Sequence, residues 1–303
     1  GVIGVFTFFL IKNIQQKKKA NILLEKQAAE IAEKSKIIEI KKEETEQSIL
    51  YAKRIQYAIL PPDNEINKYL KNYFIYYKPK DIVSGDFYFF SDLYANDKDK
   101  TGTVTIAAVD CTGHGVPGAF MSMVGNEKLK DALDISSNPQ SVLMELNKGV
   151  KQALRQESED GTKDGMDIAL CTLPAFINSD KVTIKYAGAN RPLWLVRNNS
   201  NFVEEFRATK QAIGGHTDFN QIFDQVELEL NKGDTIYLHS DGYADQFGGP
   251  TKKKLMTKKF KEILCSIQHL NLQDQKEYLK KFMEDWCVDT EQIDDILVIG
   301  IKV

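Results

Sequence analysis

Val104-Thr105-Ile106-Ala107-Ala108-Val109-Asp110-Cys111-Thr112-Gly113-His114-Gly115-Val116-Pro117-Gly118-Ala119 is the stretch that decides how the rest of the chain is read. A β-branched, apolar run ends in an acid and a glycine-rich turn follows. Pro117 suits the first turn of a helix that Ala119 to Val124 continue. A carboxylate at such a strand-to-helix corner has little freedom and faces open space. Three more aspartates sit in comparable places: Asp86 in Ser84-Gly85-Asp86-Phe87-Tyr88, Asp241 in His239-Ser240-Asp241-Gly242, and Asp294 in Ile293-Asp294-Asp295-Ile296. Taken alone, an Asp beside a Gly is usually a turn residue whose carboxylate bonds its own backbone. Gathered at strand ends, such acids make a hard, oxygen-rich site that suits Mg²⁺ or Mn²⁺ better than zinc. The pattern points to a two-metal hydrolase.

These residues also carry a family resemblance. Asp110 to Ala119 resembles the segment D-x-[ST]-G-H-G-x-P-[AG]-A of the metal-dependent serine/threonine phosphatases, the PPM or protein phosphatase 2C superfamily, in their bacterial SpoIIE-type branch. Ser84 to Tyr88 is similar to that branch's G-G-D-[FY]-[FY], and Ser240-Asp241-Gly242-Tyr243-Ala244-Asp245 to its [ST]-D-G-x-x-[DE]. Ala187-Gly188-Ala189-Asn190-Arg191-Pro192-Leu193 resembles A-G-H-N-P-P-L, with Ala189 where the branch often has His. Asp294-Asp295-Ile296-Leu297-Val298 resembles the closing D-D-[IM]-T-[LV]. Upstream, Tyr51 to Pro62 resembles the A-x-x-I-Q-x-x-L-L-P-P entry of the same branch. The resemblance runs from about residue 52 to the C-terminus, with the motifs in the family's order.

The resemblance implies an α+β fold, an α-β-β-α sandwich of two antiparallel sheets flanked by helices, with metals between the sheets at one edge. It implies that Asp110 bridges two ions and that the backbone carbonyl of Cys111 is a further ligand. Asp241 would complete the first metal and Asp294 the second, while Asp86 belongs to an outer shell or a further metal. Asp295 is the alternative to Asp294, because only one of two strand neighbours faces the site. Water attacks directly, with Asp110 and Asp241 as the catalytic carboxylates and no protein nucleophile. Lys78 and Lys80 either steer a phosphate or are a solvated pair, since the arginine of animal relatives is not recognisable. His114 either protonates the leaving oxygen or packs the turn. Asp164 and Asp167 lie before a strand and read better as turn residues than as site residues.

Length and composition fit a catalytic domain with an addition. The chain has 303 residues and a hydrophobic fraction of 42%, enough for a sizeable core, and a net charge of −3 gives no argument for nucleic acid. Cys111, Cys171, Cys265 and Cys287 form neither a C-x-x-C pair nor a zinc pattern, so reduced thiols are expected. In the segment 1–12, the apolar residues 1–11, broken by Thr7 alone, fall short of the ~20 that span a bilayer. Lys12 and Lys17-Lys18-Lys19 follow them, as basic residues follow the cytoplasmic end of a membrane segment. The segment therefore reads as the end of a transmembrane helix, placing the remainder on the cytoplasmic side of a bacterial inner membrane. Residues 13–60 read as a helical, weakly coiled-coil linker. Leu24, Ile31, Ile38, Thr45, Ala52 and Ile59 form one heptad row, and the row Ala28, Ser35, Lys42, Ile49 and Gln56 is half polar. A homodimer through this linker is expected, and Pro61-Pro62 opens the phosphatase domain, 61–303.

Within that domain, strands are predicted at 73–77, 86–90, 104–109, 168–173, 182–187, 193–197, 226–230, 235–239 and 296–303. Helices are predicted at 116–133, 139–156, 258–267 and 273–286. Adjacent strands joined by short turns favour antiparallel sheets. The leading reading is a Mn²⁺- or Mg²⁺-dependent phosphatase with two or more ions. It would act on phosphoserine or phosphothreonine of a signalling protein, the resemblance pointing to an anti-sigma-factor antagonist. A silent partner-binding module on the same fold is the alternative. A sensor kinase would need a phospho-accepting histidine in the linker, yet the first histidine is His114.

Overall fold

The computed structural model describes residues 1–303 apart from Glu159, Asp160, Asn178 and Thr251, and gives the backbone alone at Val2 and Val5. The chain separates into two units, Gly1–Tyr51 and Ala52–Val303. In the first, helix α1 (Val2–Ile59) begins, without a proline anywhere and without a glycine after Gly4 to weaken it. Its apolar row is open: Leu24, Ile31 and Ile38 are 61%, 68% and 65% exposed. Among the described residues, no helix is long and apolar enough to cross a membrane.

The last two turns of α1 belong to the second unit, and Pro61-Pro62 cannot continue it. The unit then runs α2 (Asp63–Tyr69), β1 (Tyr73–Lys78), β2 (Phe87–Asn96), β3 (Thr101–Cys111), α3 (Gly115–Ile135), α4 (Pro139–Ala153), β4 (Gly165–Pro174), β5 (Lys181–Ala189) and β6 (Leu193–Val196). It continues through β7 (Glu204–Phe206), β8 (Ile213–Gly214), β9 (Gln225–Asn231), β10 (Thr235–His239), α5 (Gly242–Asp245), β11 (Phe247–Gly248), β12 (Lys253–Lys254), α6 (Met256–Ser266), α7 (Leu272–Trp286) and β13 (Ile296–Lys302). Helix starts are capped locally: Asn138 accepts from Ser141 N–H ahead of α4, and Asn271 from Asp274 N–H ahead of α7. The short elements β7, β8, β11, β12, α2 and α5 escape the sequence patterns because two to seven residues carry too little periodicity.

One sheet has the order β1-β13-β10-β6-β7; the other has β2-β3-β4-β5-β9, with β8 on β4. Every pairing between these strands is antiparallel, as the alternation of short strands predicts. Strand β3 shows why three layers of core form. Its Val104, Ile106 and Ala108 face inward to Leu195, Ile236, Leu238, Leu297 and Ile299 of the opposite sheet, making the central core. Its Ala107, Val109 and Cys111 point the other way, into a second core under Met121 and Leu129 of α3 and Leu143 and Leu146 of α4. Strand alternation with apolar residues on both faces requires cover on both faces. On the far side Phe74, Tyr76 and Val298 pack under Phe260 of α6 and Leu279 of α7. Each fully buried Leu, Ile or Phe contributes roughly 1.5–3 kcal/mol. The result is the expected α-β-β-α sandwich.

The antiparallel register decides what meets at the edge. The C-terminal end of β3 lies beside the N-terminal ends of β2 and β4, with Val109 opposite Phe87 and Asp110 opposite Asp167. The C-terminal end of β10 lies beside the N-terminal end of β13, with His239 opposite Val298. Acids just inside or beyond those ends therefore gather on one side of the two sheets.

Candidate metal centre

Two glycines allow the acidic segments to close on one another. A Cβ at Gly85 would stand 2.3 Å from the Gly113 carbonyl oxygen and 3.3 Å from that of Cys111, so only glycine lets segment 84–86 lie on the turn after β3. A Cβ at Gly242 would stand 2.0 Å from the Asp295 carbonyl oxygen, which brings the start of α5 against segment 294–295.

Asp86, just ahead of β2, is 2% exposed, and its Oδ2 has no hydrogen-bond partner among the described residues. Burial, and then the charge of Asp110, push its carboxyl well above the usual range. Asp110 ends near the tip of β3. Burial, offset by Arg191 and reinforced by Asp241, Asp167 and Asp294, drives its carboxyl up to about 7. Its buried Oδ2 lies 2.8 Å from Arg191 Nη2 yet outside hydrogen-bonding geometry. Asp241 caps α5 and its Oδ2 accepts from the same Nη2 at 2.7 Å. The Cys111 side chain is buried in the core beneath α3 and α4, leaving its backbone carbonyl beside Gly85.

Asp294 and Asp295 do different things. Asp295 is 2% exposed; its Oδ1 accepts from Lys80 N–H at 2.7 Å and its Oδ2 from Gly85 N–H at 2.7 Å and Asp86 N–H at 3.4 Å. Its lone pairs hold loop 80–86. Among the described residues Asp294 keeps one oxygen without a protein donor, the other accepting from Asp295 N–H at 2.9 Å, and burial followed by Asp241 and Asp295 raises its carboxyl.

Asp167 is not a turn residue. It lies within β4 directly opposite Asp110, accepts from Asn190 Nδ2 at 2.8 Å, and comes within 3.3 Å of Arg191 Nη2. Asp164 takes part only through its carbonyl, which accepts from Gln156 Nε2 at 2.6 Å. His114 stands between Asp81 Oδ2, 2.6 Å from its Nδ1, and Lys80 Nζ, 2.9 Å from its Nε2, which fits a proton on Nδ1 and an accepting Nε2. Lys78 is exposed, and its carbonyl accepts from Gln292 Nε2 at 2.8 Å.

The sequence reading gives three further residues no part in the site, Gln56 appearing there only in the half-polar heptad row and the entry motif. Gln56, 1% exposed, donates to the Ser84 carbonyl at 2.6 Å and to Ser122 Oγ at 2.8 Å, and accepts from Ser84 N–H at 3.0 Å. Asp81 orients His114. Arg191 stands where the resembling motif has a proline, and that charge was its visible signal. Among the described residues, no three His, Cys, Asp or Glu side chains form a ready cation cage. Asp110, Asp167 and Asp241 converge instead on Arg191 Nη2. Beside them is a cavity of about 430 Å³ whose lining includes Asp110, Asp167 and Asn190 together with Lys163, Lys210 and His216.

Comparison with known proteins gives the family. The model of the family Stage II sporulation protein E (SpoIIE) matches residues 100–303. Phosphoserine phosphatase RsbU of Bacillus subtilis (strain 168) is 28% identical over 193 residues, which is 62% of this chain and 51% of RsbU, so the chain spans about half the length of that relative. The solved SiaA-PP2C domain of Pseudomonas aeruginosa matches with a TM-score of 0.73 at 28% identity, over 86% of this chain and 98% of that one. The PP2C phosphatase domain of SpoIIE from Bacillus subtilis, solved with a fragment of its regulatory domain, matches in fold with a TM-score of 0.57 at 19% identity, over 76% of this chain and 62% of that one. With the matched segment covering more than half of its residues and holding Asp110, Asp241 and Asp294, this chain belongs to the SpoIIE family and carries a PP2C-type phosphatase domain.

Proposed function

We propose that the unit Ala52–Val303 is an active, metal-dependent protein serine/threonine phosphatase. The observation that carries this reading is the pair of buried carboxylate oxygens, Asp86 Oδ2 and Asp110 Oδ2, left without hydrogen bonds where Asp241 and Asp294 also arrive. A buried polar atom without a partner is costly. An all-oxygen, mutually repelling donor set fits a hard divalent ion. Asp110, Asp241, Asp294 and the Cys111 carbonyl would hold two or more Mn²⁺ or Mg²⁺ ions, with Asp86 beside them. Such ions, when bound, lower the pKa of a water and neutralise phosphoryl oxygens.

The chain's own residues supply the frame. Asp295 fixes loop 80–86 through three backbone N–H groups, and Gln56 fixes the same loop from α1. Lys80, set by its contact with His114, brings a cation to the mouth of the site and steers an anionic substrate. The cavity bearing Lys163 and Lys210 receives the phosphorylated segment, for which lysine side chains are suited partners. The substrate is phosphoserine or phosphothreonine on a small signalling protein of the anti-sigma-factor antagonist class. The apolar start followed by Lys12 and Lys17-Lys18-Lys19 supports a position at the cytoplasmic face of a bacterial inner membrane, and the open apolar row of α1 supports a homodimer.

The test is phosphate release from p-nitrophenyl phosphate and from a phosphoserine-bearing antagonist protein, with and without Mn²⁺. Release that requires Mn²⁺ and is lost in Asp241→Asn is expected. A folded protein that binds the phosphoprotein and releases nothing at any Mn²⁺ concentration would instead establish the silent binding module. Release confined to phosphotyrosine peptides would overturn the substrate assignment.

A further inference from the structure

The structure assigns Arg191 a role as a built-in cation: its guanidinium holds Asp110, Asp167 and Asp241 together and is displaced from them when a divalent ion binds. This rests on the metal-dependent reading of the site. One nitrogen, Nη2, lies 2.8 Å from Asp110 Oδ2, 3.3 Å from Asp167 Oδ2 and 2.7 Å from Asp241 Oδ2. Those acids come from both sheets, two from facing positions on β3 and β4 and one from the residues after β10. Nη2 has two hydrogens and three anionic neighbours. It makes a well-directed bond to Asp241 and leaves Asp110 Oδ2 without one.

Three features make this arrangement replaceable rather than final. The guanidinium carries one positive charge against three carboxylates, with Asp86 and Asp294 adding to the repulsion at Asp110 and its neighbours. Arg191 Nε is buried with no hydrogen-bond partner among the described residues, so the side chain leaves one of its own donors unsatisfied in this pose. A divalent ion binding Asp110 and Asp241 at the ~2.0–2.2 Å usual for small hard cations would come too close to Nη2 for both to stay. The backbone, by contrast, is fixed. Asn190 takes the left-handed conformation at φ 56°, which Asn tolerates, while the Arg191 carbonyl accepts from Tyr186 Oη at 2.5 Å and its N–H donates to Ala189 O at 2.7 Å. Displacement is therefore a side-chain swing, and the adjoining cavity of about 430 Å³ gives it room.

A competing internal cation lowers apparent metal affinity and stabilises the protein without metal, as any ligand of the folded state does. The test is calorimetric titration of the intact chain with MnCl₂ alone, together with thermal unfolding in EDTA, for wild type, Arg191→Gln, Arg191→Lys and Asp241→Asn. Arg191→Gln is expected to bind Mn²⁺ about tenfold tighter, ~1.4 kcal/mol, and to unfold at a lower temperature than wild type in EDTA. Arg191→Lys should lie between them. Should Arg191→Gln fail to fold, the ¹⁵N side-chain resonance of Arg191 in the wild type, assigned with Arg191→Lys, should shift on addition of Mg²⁺. Unchanged or weaker Mn²⁺ binding by Arg191→Gln, or an Arg191 resonance that ignores Mg²⁺, would overturn the assignment while leaving the phosphatase reading intact. A wild type that binds no divalent ion overturns both.

Discussion

Strand β6 is flanked by two arginines, and the clusters they form teach opposite lessons. Arg197, just after the strand, donates to Asp234 Oδ2 at 2.9 Å, to the Glu229 carbonyl at 2.8 Å and through Nε to Glu204 at 3.1 Å. Asp234, 2% exposed, also accepts from Asn198 N–H at 2.8 Å and Asn231 N–H at 2.9 Å. There the donors and acceptors match, and the cluster locks β6 and β7 to the loop before β10. Arg191, just before the strand, meets three carboxylates with one nitrogen and, among the described residues, leaves its own Nε and Asp110 Oδ2 without a hydrogen bond. The residue types are the same at both ends. A satisfied set holds a fold together, whereas an oversupplied acidic set is prepared to receive something else.

The sharpest way to break this comparison is Asp110→Asn. Phosphatase activity should fall by well over the ~10–100-fold that loss of an outer partner of a metal site typically costs. The melting temperature in EDTA should hold or rise, because a repelling charge is gone. Turnover near wild type at saturating Mn²⁺ would remove Asp110 from the site. At the other end of β6, Asp234→Ala should cost about 3 kcal/mol in urea denaturation, the low end for a broken buried pair because Arg197 keeps some solvent contact. Its Mn²⁺ affinity should not change, and a shift there would mean that the two ends are coupled.

The neighbouring acids Asp294 and Asp295 repeat the contrast within two residues. Asp295→Asn should lower stability by ~1–3 kcal/mol through the N–H groups it leaves unpaired, while Asp294→Asn should leave stability nearly unchanged and weaken Mn²⁺ binding ~10–100-fold. Reversed results in urea melts and Mn²⁺ titrations would exchange their roles. Gln56→Ala removes both sides of the amide clamp on Ser84 and should cost ~1–3 kcal/mol, read by the same urea melts. The smallest effect is expected from Ser35→Leu with Lys42→Leu in the half-polar row of α1. Sedimentation should show a tighter dimer, and the phosphatase rate should change if the linker transmits a signal. A tighter dimer with the same rate would make the linker a tether.

Local pattern was enough for much of this molecule. The apolar alternation of 104–109, the start of α3 at the Gly115–Pro117 turn, and the strand-end positions of Asp86, Asp110, Asp241 and Asp294 are all properties of short windows, where a period of two or a proline acts on its neighbours. Family resemblance added the stacking of the sheets. Asp167 was misread because Asp164-Gly165-Met166-Asp167 has turn composition, and only pairing with β3 extends the strand through Gly165 and places Asp167 opposite Asp110.

By itself, then, the sequence determined the longer elements and the acids that reach one edge, and its family resemblance implied the layer order. The tertiary structure alone decided which groups are left wanting partners at that edge. Asp295 is quenched by N–H groups of Lys80, Gly85 and Asp86, more than two hundred residues away in sequence, and Arg191 is drawn to Asp110 and Asp241 across two sheets. Hydrogen-bond satisfaction is a relation between distant residues, so no window of the chain contains it.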